Sequence, residues 1–269
     1  LDVNWKFFCD NFNESYHTRF VHPQVPSVID QDHFTSRYEM FPNGHARIIQ
    51  MGRPSIRDRV PEGEDHPFKM ILEDWGVDVS KYSDYENLSE QGWLDLKEAK
   101  RKNYKERGYF HYENLSDEEL TESPFQFIFP NIAMGVQADG CILLNWFPHP
   151  TDPEKCFFDL WDMGYPIGGV AKGIGKTGRD DSHEQEFISR TKVNPVKLQE
   201  VELDFRDYDG GKGVEDLWDH VVYQDWQLTD GLRRGVRSRG YQEPYLAAQE
   251  SRVRFFHETL HDYLNDKKV

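Results

Sequence analysis

The fold class follows from residues 125–147, which read FQFIFPNIAMGVQADGCILLNWF. Aromatic and other apolar residues form three short runs here, and Pro130-Asn131 and Ala138-Asp139-Gly140 separate them. Short apolar runs between such turn residues are typical of antiparallel strands in a meander. The stretch therefore predicts three neighbouring strands: Phe125 to Phe129, Ile132 to Val136 and Cys141 to Phe147.

Strand and helix patterns continue outward from this stretch. Further strands are predicted at Ala46 to Met51, Cys156 to Asp162 and Gln199 to Phe205. A glycine-rich loop is expected from Gly164 to Asp181. The apolar spacing predicts helices from Asn4 to Val21, Ser89 to Lys102, Val214 to Val236 and Leu246 to Leu264. Helix, strands and then helices predict an α+β fold, with a curved antiparallel sheet and helices packed on one of its faces.

Length and charge limit the function classes. The chain has 269 residues, enough for one large domain or two small ones. Its 48 Asp and Glu residues outnumber its 32 Lys and Arg residues, so the formal net charge is −16. Such an acidic surface repels nucleic-acid phosphate and anionic lipid, so we expect no nucleic-acid partner. Since no stretch approaches 18 apolar residues, we expect no membrane partner either.

The cysteines and the first residues bear on the cellular context. Cys9, Cys141 and Cys156 are too few and too scattered for a disulfide framework. We therefore expect a reducing, cytoplasmic location. The sequence begins at Leu1 without an initiator Met or a signal-peptide pattern, so we expect a fragment or a processed chain.

The first predicted helix carries the densest set of polar residues: Asn11, Glu14, His17 and His22. Glu14 and His17 are three positions apart and therefore share a helix face. His22 lies five positions after His17, about 140° further round an ideal helix. The two imidazoles can meet one metal only if the helix ends or distorts between them, and Pro23 favours such an end. The spacing is equally compatible with two unrelated histidines.

Asp225 interrupts the apolar stripe of the first closing helix. A carboxylate in such a stripe is unfavourable unless it is paired or bound to a cation. Either a metal ion or a buried ion pair with a nearby arginine would satisfy it. The stripe consists of Trp218, Val221, Val222, Leu228 and Leu232, and the candidate partners are Arg233, Arg234 and Arg237.

Two histidines and one carboxylate, without a thiolate, are the ligand set of a non-haem iron(II) site with open positions for O₂ and substrate. A zinc hydrolase can use the same set with a bound water molecule. The residue types alone leave both possibilities open.

The segment that holds these residues resembles the start of the catalytic domain of Rieske non-haem iron oxygenase (ring-hydroxylating oxygenase) alpha subunits. The family pattern reads approximately N-W-K and then E-N-x-x-D-x-Y-H-x-x-x-x-H. This chain has Asn4-Trp5-Lys6, residues 10–17 as DNFNESYH, and His22-Pro23. Further similar segments are Phe129-Pro130-Asn131, residues 223–226 (YQDW), residues 235–238 (GVRS), Gln249-Glu250 and residues 255–257 (FFH).

The resemblance implies a role for each matching residue. His17, His22 and Asp225 match the three ligands of the mononuclear Fe(II). Asn11 matches a polar residue close to the iron. Glu14 matches the bridging carboxylate, which links an iron-ligating histidine to the Rieske cluster of a neighbouring subunit. That position is usually Asp in the family, and Glu is one methylene longer.

The resemblance also implies a helix-grip fold for residues 1–269, with the sheet curved around a long C-terminal helix. Such a terminal oxygenase uses Fe(II) and O₂ to hydroxylate, dihydroxylate or oxidatively demethylate an organic, aromatic substrate. Electrons come from NAD(P)H through a reductase or ferredoxin and a [2Fe–2S] Rieske cluster, in a homotrimer or an α3β3 assembly. That cluster needs two Cys and two His. No cysteine here stands in a Cys-x-His or Cys-x-x-His pair, so we expect the Rieske domain to be absent from this chain.

Two other functions compete with the oxygenase. A metal-free helix-grip carrier for an apolar ligand predicts that Asp225 pairs with an arginine and that His17 and His22 lie apart. A zinc hydrolase would use the same three ligands, with Glu14 as general base. The basic stretch from Lys97 to Arg107 could dock an acidic redox partner, although a solvated helix face is the more general expectation.

Overall fold

The computed structural model describes residues 1–59, 66–164, 166–167, 170–171, 217–242 and 244–267. Its main feature is a six-stranded antiparallel sheet in which the strands follow one another in sequence order. These strands are β1 (Arg37–Met40), β2 (Ala46–Met51), β3 (Glu122–Ile128), β4 (Ile132–Gln137), β5 (Gly140–Pro148) and β6 (Cys156–Gly164). A separate two-stranded pair consists of β7 (Pro166–Ile167) and β8 (Val170–Ala171).

The register places one apolar row across the sheet. Ala46 of β2 pairs with Phe127 of β3, and Phe127 pairs with Ala133 of β4. Ala133 pairs with Leu144 of β5, which pairs with Leu160 of β6. Because alternate residues of a strand point to opposite faces, this row and the residues two positions away lie on the same face. The strands predicted from apolar runs between residues 46 and 162 are thus confirmed.

Helices cover the face that carries this row. α1 (Lys6–Phe12), α5 (Leu217–Val236) and α6 (Ser251–Leu264) contribute Phe8, Val222 and Phe256 to the core, together with the apolar row. On the opposite face the side chains of Phe147, Phe157, Trp161 and Met163 are 39–55% exposed. Within the described ranges the helices therefore pack on one face of the sheet, and the predicted α+β class is confirmed.

A helical insertion between β2 and β3 builds a second core. α3 (Pro67–Asp74) and α4 (Tyr85–Asn103) pack together around Phe68, Leu72, Leu88 and Leu96. The insertion anchors the basic stretch from Lys97 to Arg107. The expectation of a solvated helix face is wrong at Lys100, which is buried. Its ammonium donates to the carbonyl oxygen of Leu120 at 2.9 Å and pairs with Asp139 at 3.4 Å. Arg101, Lys105 and Arg107 pair with Asp117, Glu113 and Asp74 of the same chain.

The first helix is shorter than predicted. α1 ends at Phe12, and one further turn, α2 (Thr18–Val21), follows after a break. At the break the Nδ2 atom of Asn13 donates to the carbonyl oxygen of Cys9 at 2.9 Å. The Glu14 carboxylate accepts from the backbone N–H of His17 at 3.1 Å. Such local bonds between side chains and the backbone compete with helical hydrogen bonds, which explains the interruption.

Other boundaries differ more modestly. α4 begins at Tyr85 because the carboxylate of Asp84 accepts from the N–H of Asn87 at 2.8 Å and caps the helix. A 3₁₀ turn, Ala248–Glu250, precedes α6, and β1 and α3 were not predicted. The predicted strand at residues 199–205 and most of the predicted loop at 164–181 lie outside the described residues. None of the helices described is both long and apolar enough to cross a membrane.

The covered face of the sheet should dominate stability. We expect Phe127→Ala to lower the free energy of unfolding by about 3–5 kcal/mol, since it removes a fully buried ring. Phe157→Ala, on the opposite face, should cost less than about 1 kcal/mol. Chemical denaturation measures both, and equal losses would show that a second layer covers the outer face.

Candidate metal site

His17 and His22 flank the single turn of α2. His17 immediately precedes this turn and His22 immediately follows it. His22 leaves the helix with φ −120° and ψ 68°, as Pro23 favours, because proline disfavours helical backbone at the residue before it. The helix therefore ends before the second histidine. The two imidazole rings lie 5.2 Å apart between their centroids and are nearly perpendicular, at 82°.

Asp225 of α5 completes the cluster. Its Oδ1 atom lies 3.0 Å from Nε2 of His22 and 3.9 Å from Nε2 of His17. One ligand atom from each of the three residues falls within 4.8 Å of the others. The side chain of His22 is only 2% exposed, and those of His17 and Asp225 are 17% and 16% exposed. The structure thus brings the three predicted residues together in a largely buried site.

The other ring nitrogen of each histidine is held by an oxygen. Nδ1 of His22 lies 2.8 Å from Oε1 of Gln224, which also accepts from the Nε2 amide of Gln24 at 2.9 Å. Nδ1 of His17 contacts the Glu14 carboxylate. An amide or carboxylate oxygen only accepts, so each Nδ1 carries the ring proton. The lone pair of each histidine is therefore on Nε2, the atom nearer Asp225.

Glu14 uses both of its carboxylate oxygens on one histidine. Oε1 contacts Nδ1 of His17, and Oε2 accepts from the backbone N–H of the same residue at 3.1 Å. Burial alone would lower the pKa of His17. The hydrogen bond to Glu14 and the negative charges of Glu14 and Asp225 outweigh burial and raise that pKa above its usual value. This environment favours positive charge at the site.

The remaining polar atoms fit a divalent metal ion. Nε2 of His22 and Oδ1 of Asp225 are buried, and neither has a hydrogen-bond partner among the described residues. Two acceptor atoms that face each other at 3.0 Å repel unless a cation compensates them. Two ligands at right angles, each about 2.1 Å from a first-row metal, are also about 3.0 Å apart. Two imidazoles and one carboxylate without thiolate suit a redox-active iron(II) as well as zinc.

Asp225 has no arginine partner within the described part of the chain. Arg233 and Arg234 both pair with Asp230, each at 2.9 Å, and Arg237 pairs with Glu154. The ion pair that the carrier hypothesis required is thus absent among the described residues, and its separation of the two histidines is wrong.

The apolar stripe predicted on α5, which includes Asp225, is partly wrong. Leu228 and Leu232 are exposed, whereas Val222 and Thr229 are buried. The buried face of α5 is thus turned by about one residue from the predicted stripe, and Asp225 lies at its edge.

Asn11 is the sequence-predicted site residue with the weakest structural connection. It lies half-buried on α1, and its side chain makes no hydrogen bond or ion pair with the other described residues. Its catalytic role stays a prediction. Gln224 and Gln24 are the contributors that sequence reasoning missed. Gln224 stands in the segment 223–226 that resembles the family. No local pattern predicts its contact with His22, which lies 202 positions earlier in the chain.

The comparisons with known proteins define the class. The family model described as ring hydroxylating alpha subunit (catalytic domain) matches residues 1–166 and 179–266. The chain therefore belongs to this family, which is a family of oxygenases, and its sheet with helices on one face is the helix-grip fold expected for it. Searches of curated proteins and of solved structures found no match.

Gln224 gives a test of the orientation of His22. We expect Gln224→Leu to weaken metal binding about 10- to 100-fold, because the ring loses the acceptor that fixes its tautomer. Gln227→Leu is the matched control, since Gln227 is exposed on the same helix and bonds to Tyr223. Anaerobic Fe(II) titration of both variants measures the effect. Equal affinities in the two variants would contradict the assignment.

Proposed function

We propose that this chain is the mononuclear iron(II) catalytic domain of a terminal oxygenase, with His17, His22 and Asp225 as the iron ligands. The observation that carries the proposal is the buried pair of acceptors, Nε2 of His22 and Oδ1 of Asp225, 3.0 Å apart without a hydrogen-bond donor in the described residues. Membership of the ring-hydroxylating family favours iron as the ion.

Iron(II) in such a site supplies redox chemistry and open positions at which O₂ can react beside an organic substrate. The residues of the chain prepare that site. Gln224 and Glu14 hold the two imidazoles with Nε2 turned inward. Asp225 contributes one negative charge, which offsets part of the charge of the ion. The low exposure of all three ligands limits the access of bulk water.

The proposed reaction is hydroxylation, dihydroxylation or oxidative demethylation of an organic substrate, which we expect to be aromatic. O₂ supplies the oxygen atoms, and NAD(P)H supplies two electrons through a reductase or ferredoxin and a Rieske cluster. Hydroxylation transfers one oxygen atom to the substrate and the other to water, whereas dihydroxylation transfers both to the substrate. Glu14, in contact with His17, is the proposed link to the cluster.

The domain organisation, the oligomeric assembly and the cellular location are further parts of this proposal. Residues 1–269 would act as one catalytic domain that works with a Rieske domain outside this sequence, in a homotrimer or an α3β3 assembly. A cytoplasmic location agrees with three free cysteines, Cys9, Cys141 and Cys156.

The hydrolase alternative has less support. A general base must face the reacting water, but both oxygens of Glu14 are bonded to His17. They lie at the Nδ1 side of the ring, away from the atom that faces Asp225. The geometry therefore suits a carboxylate that orients a ligand.

The metal content tests the proposal. After anaerobic reconstitution with Fe(II), we expect about one iron per chain in the wild type and a loss of iron in Asp225→Ala. Asp230→Ala is the matched control, because Asp230 lies on the same helix and pairs with Arg233 and Arg234. Elemental analysis of the three proteins gives the result. Iron retained in Asp225→Ala, or tight zinc that Fe(II) does not displace, would refute the proposal.

A further inference from the structure

Arg252, on α6, has the largest of the fully buried side chains, with 0% of its surface exposed. The Nε, Nη1 and Nη2 atoms of its guanidinium all lack a hydrogen-bond partner within the described ranges. Burial lowers the pKa of Arg252 to about 10, so the group is still charged at neutral pH. A buried cation is strongly unfavourable unless nearby negative charge compensates it.

Two ionisable groups lie near Arg252: Tyr38 of β1 and Glu14, which follows α1. Both positions agree with the packing: α6 contacts β1, and the hydroxyl of Tyr16, two residues after Glu14, donates to the carboxylate of Glu250, two residues before Arg252, at 3.2 Å. Tyr38 is a neutral phenol, since burial raises its pKa above the usual value. Its hydroxyl lies 3.5 Å from Oγ of Ser15. The Tyr38 phenol therefore supplies no full negative charge that could offset Arg252.

Glu14 is likewise a buried ionisable group. Its side chain is buried, and a carboxylate in such surroundings needs a compensating positive charge. Its two oxygens are bonded to His17, so the compensation acts through space and not through a direct hydrogen bond. The low dielectric of the interior strengthens such an interaction between Arg252 and Glu14.

We propose that Arg252 is a positioning residue of the metal site, whose buried charge holds the Glu14 carboxylate against His17 and so keeps Nε2 of His17 turned toward Asp225. The inference rests on the proposed function, because its effect is read at the metal. Within the described residues Arg252 makes no hydrogen bond or ion pair with His17, His22 or Asp225. It therefore acts through Glu14.

A double-mutant cycle on metal affinity tests this coupling. The wild type, Arg252→Met, Glu14→Gln and the double variant are titrated anaerobically with Fe(II), and with Co(II), whose visible spectrum reports ligand geometry. Each single substitution should weaken Fe(II) binding about 10- to 100-fold, and the double variant should bind no more weakly than the weaker single variant. Arg252→Lys keeps the charge and should restore most of the affinity.

The control is Arg254→Met, because Arg254 lies on the same helix, is exposed and pairs with Glu258. It should leave Fe(II) affinity and the Co(II) spectrum unchanged. The inference is overturned if Arg252→Met binds Fe(II) like the wild type. It is equally overturned if the loss of Fe(II) affinity in the double variant is the product of the losses in the two single variants. It is also overturned if Arg252→Lys loses as much affinity as Arg252→Met.

The same cycle on the unfolding of the metal-free protein separates this inference from the proposed function. Glu14→Gln should destabilise the chain while Arg252 is present, and should cost much less in the Arg252→Met background. If the wild type binds no Fe(II), the proposed function fails. The coupling between Arg252 and Glu14 in the unfolding of the metal-free protein still tests the inference. Should Arg252→Met not fold, Glu14→Gln is compared with Glu258→Gln at the surface. Equal stability of those two variants would overturn the inference.

Discussion

The site depends on one constraint: the fold holds Nε2 of His22 and Oδ1 of Asp225 only 3.0 Å apart. It joins the N-terminal helical segment to α5 at the other end of the chain. Two buried acceptors at this distance do not stabilise each other, so packing elsewhere must hold them in place. The shared core of α1, α5, α6 and the sheet supplies that packing. Metal binding to such a preformed site would raise the free energy of unfolding.

The two histidines are oriented by different chemistry. His22 is held by the neutral amide of Gln224, whereas His17 is held by the charged carboxylate of Glu14. A carboxylate acceptor raises the basicity of an imidazole ligand. The contact with Glu14 therefore strengthens His17 as a nitrogen ligand. The buried charge of Glu14 also explains why a buried arginine on α6 can be tolerated nearby.

Much of the fold could be predicted from local pattern. Strand β2 was predicted with its observed bounds, because turn residues flank a short run rich in apolar residues on both sides. The break after α1 was missed because Trp5 to Tyr16 keeps a helical period. Hydrogen bonds from the side chains of Asn13 and Glu14 interrupt it, and periodicity does not report such bonds.

The site could be predicted only in part, for a similar reason. Spacing and resemblance together indicated His17, His22 and Asp225. The acceptor for His22 and the charge near Glu14 come from α5 and α6, and such long-range contacts have no local signal. The buried face of α5 was misjudged because one residue step turns a helix by about 100°. Only the packed structure determines which edge of that helix meets the histidines.

The most direct test of the central claim is the position of the metal. A crystal structure of the chain reconstituted anaerobically with Fe(II), with anomalous data collected at the iron edge, locates it without reference to activity. We expect one strong anomalous peak bounded by Nε2 of His17, Nε2 of His22 and an oxygen of Asp225. No peak at these atoms, with the three side chains unchanged, or a peak elsewhere in the molecule, would contradict it.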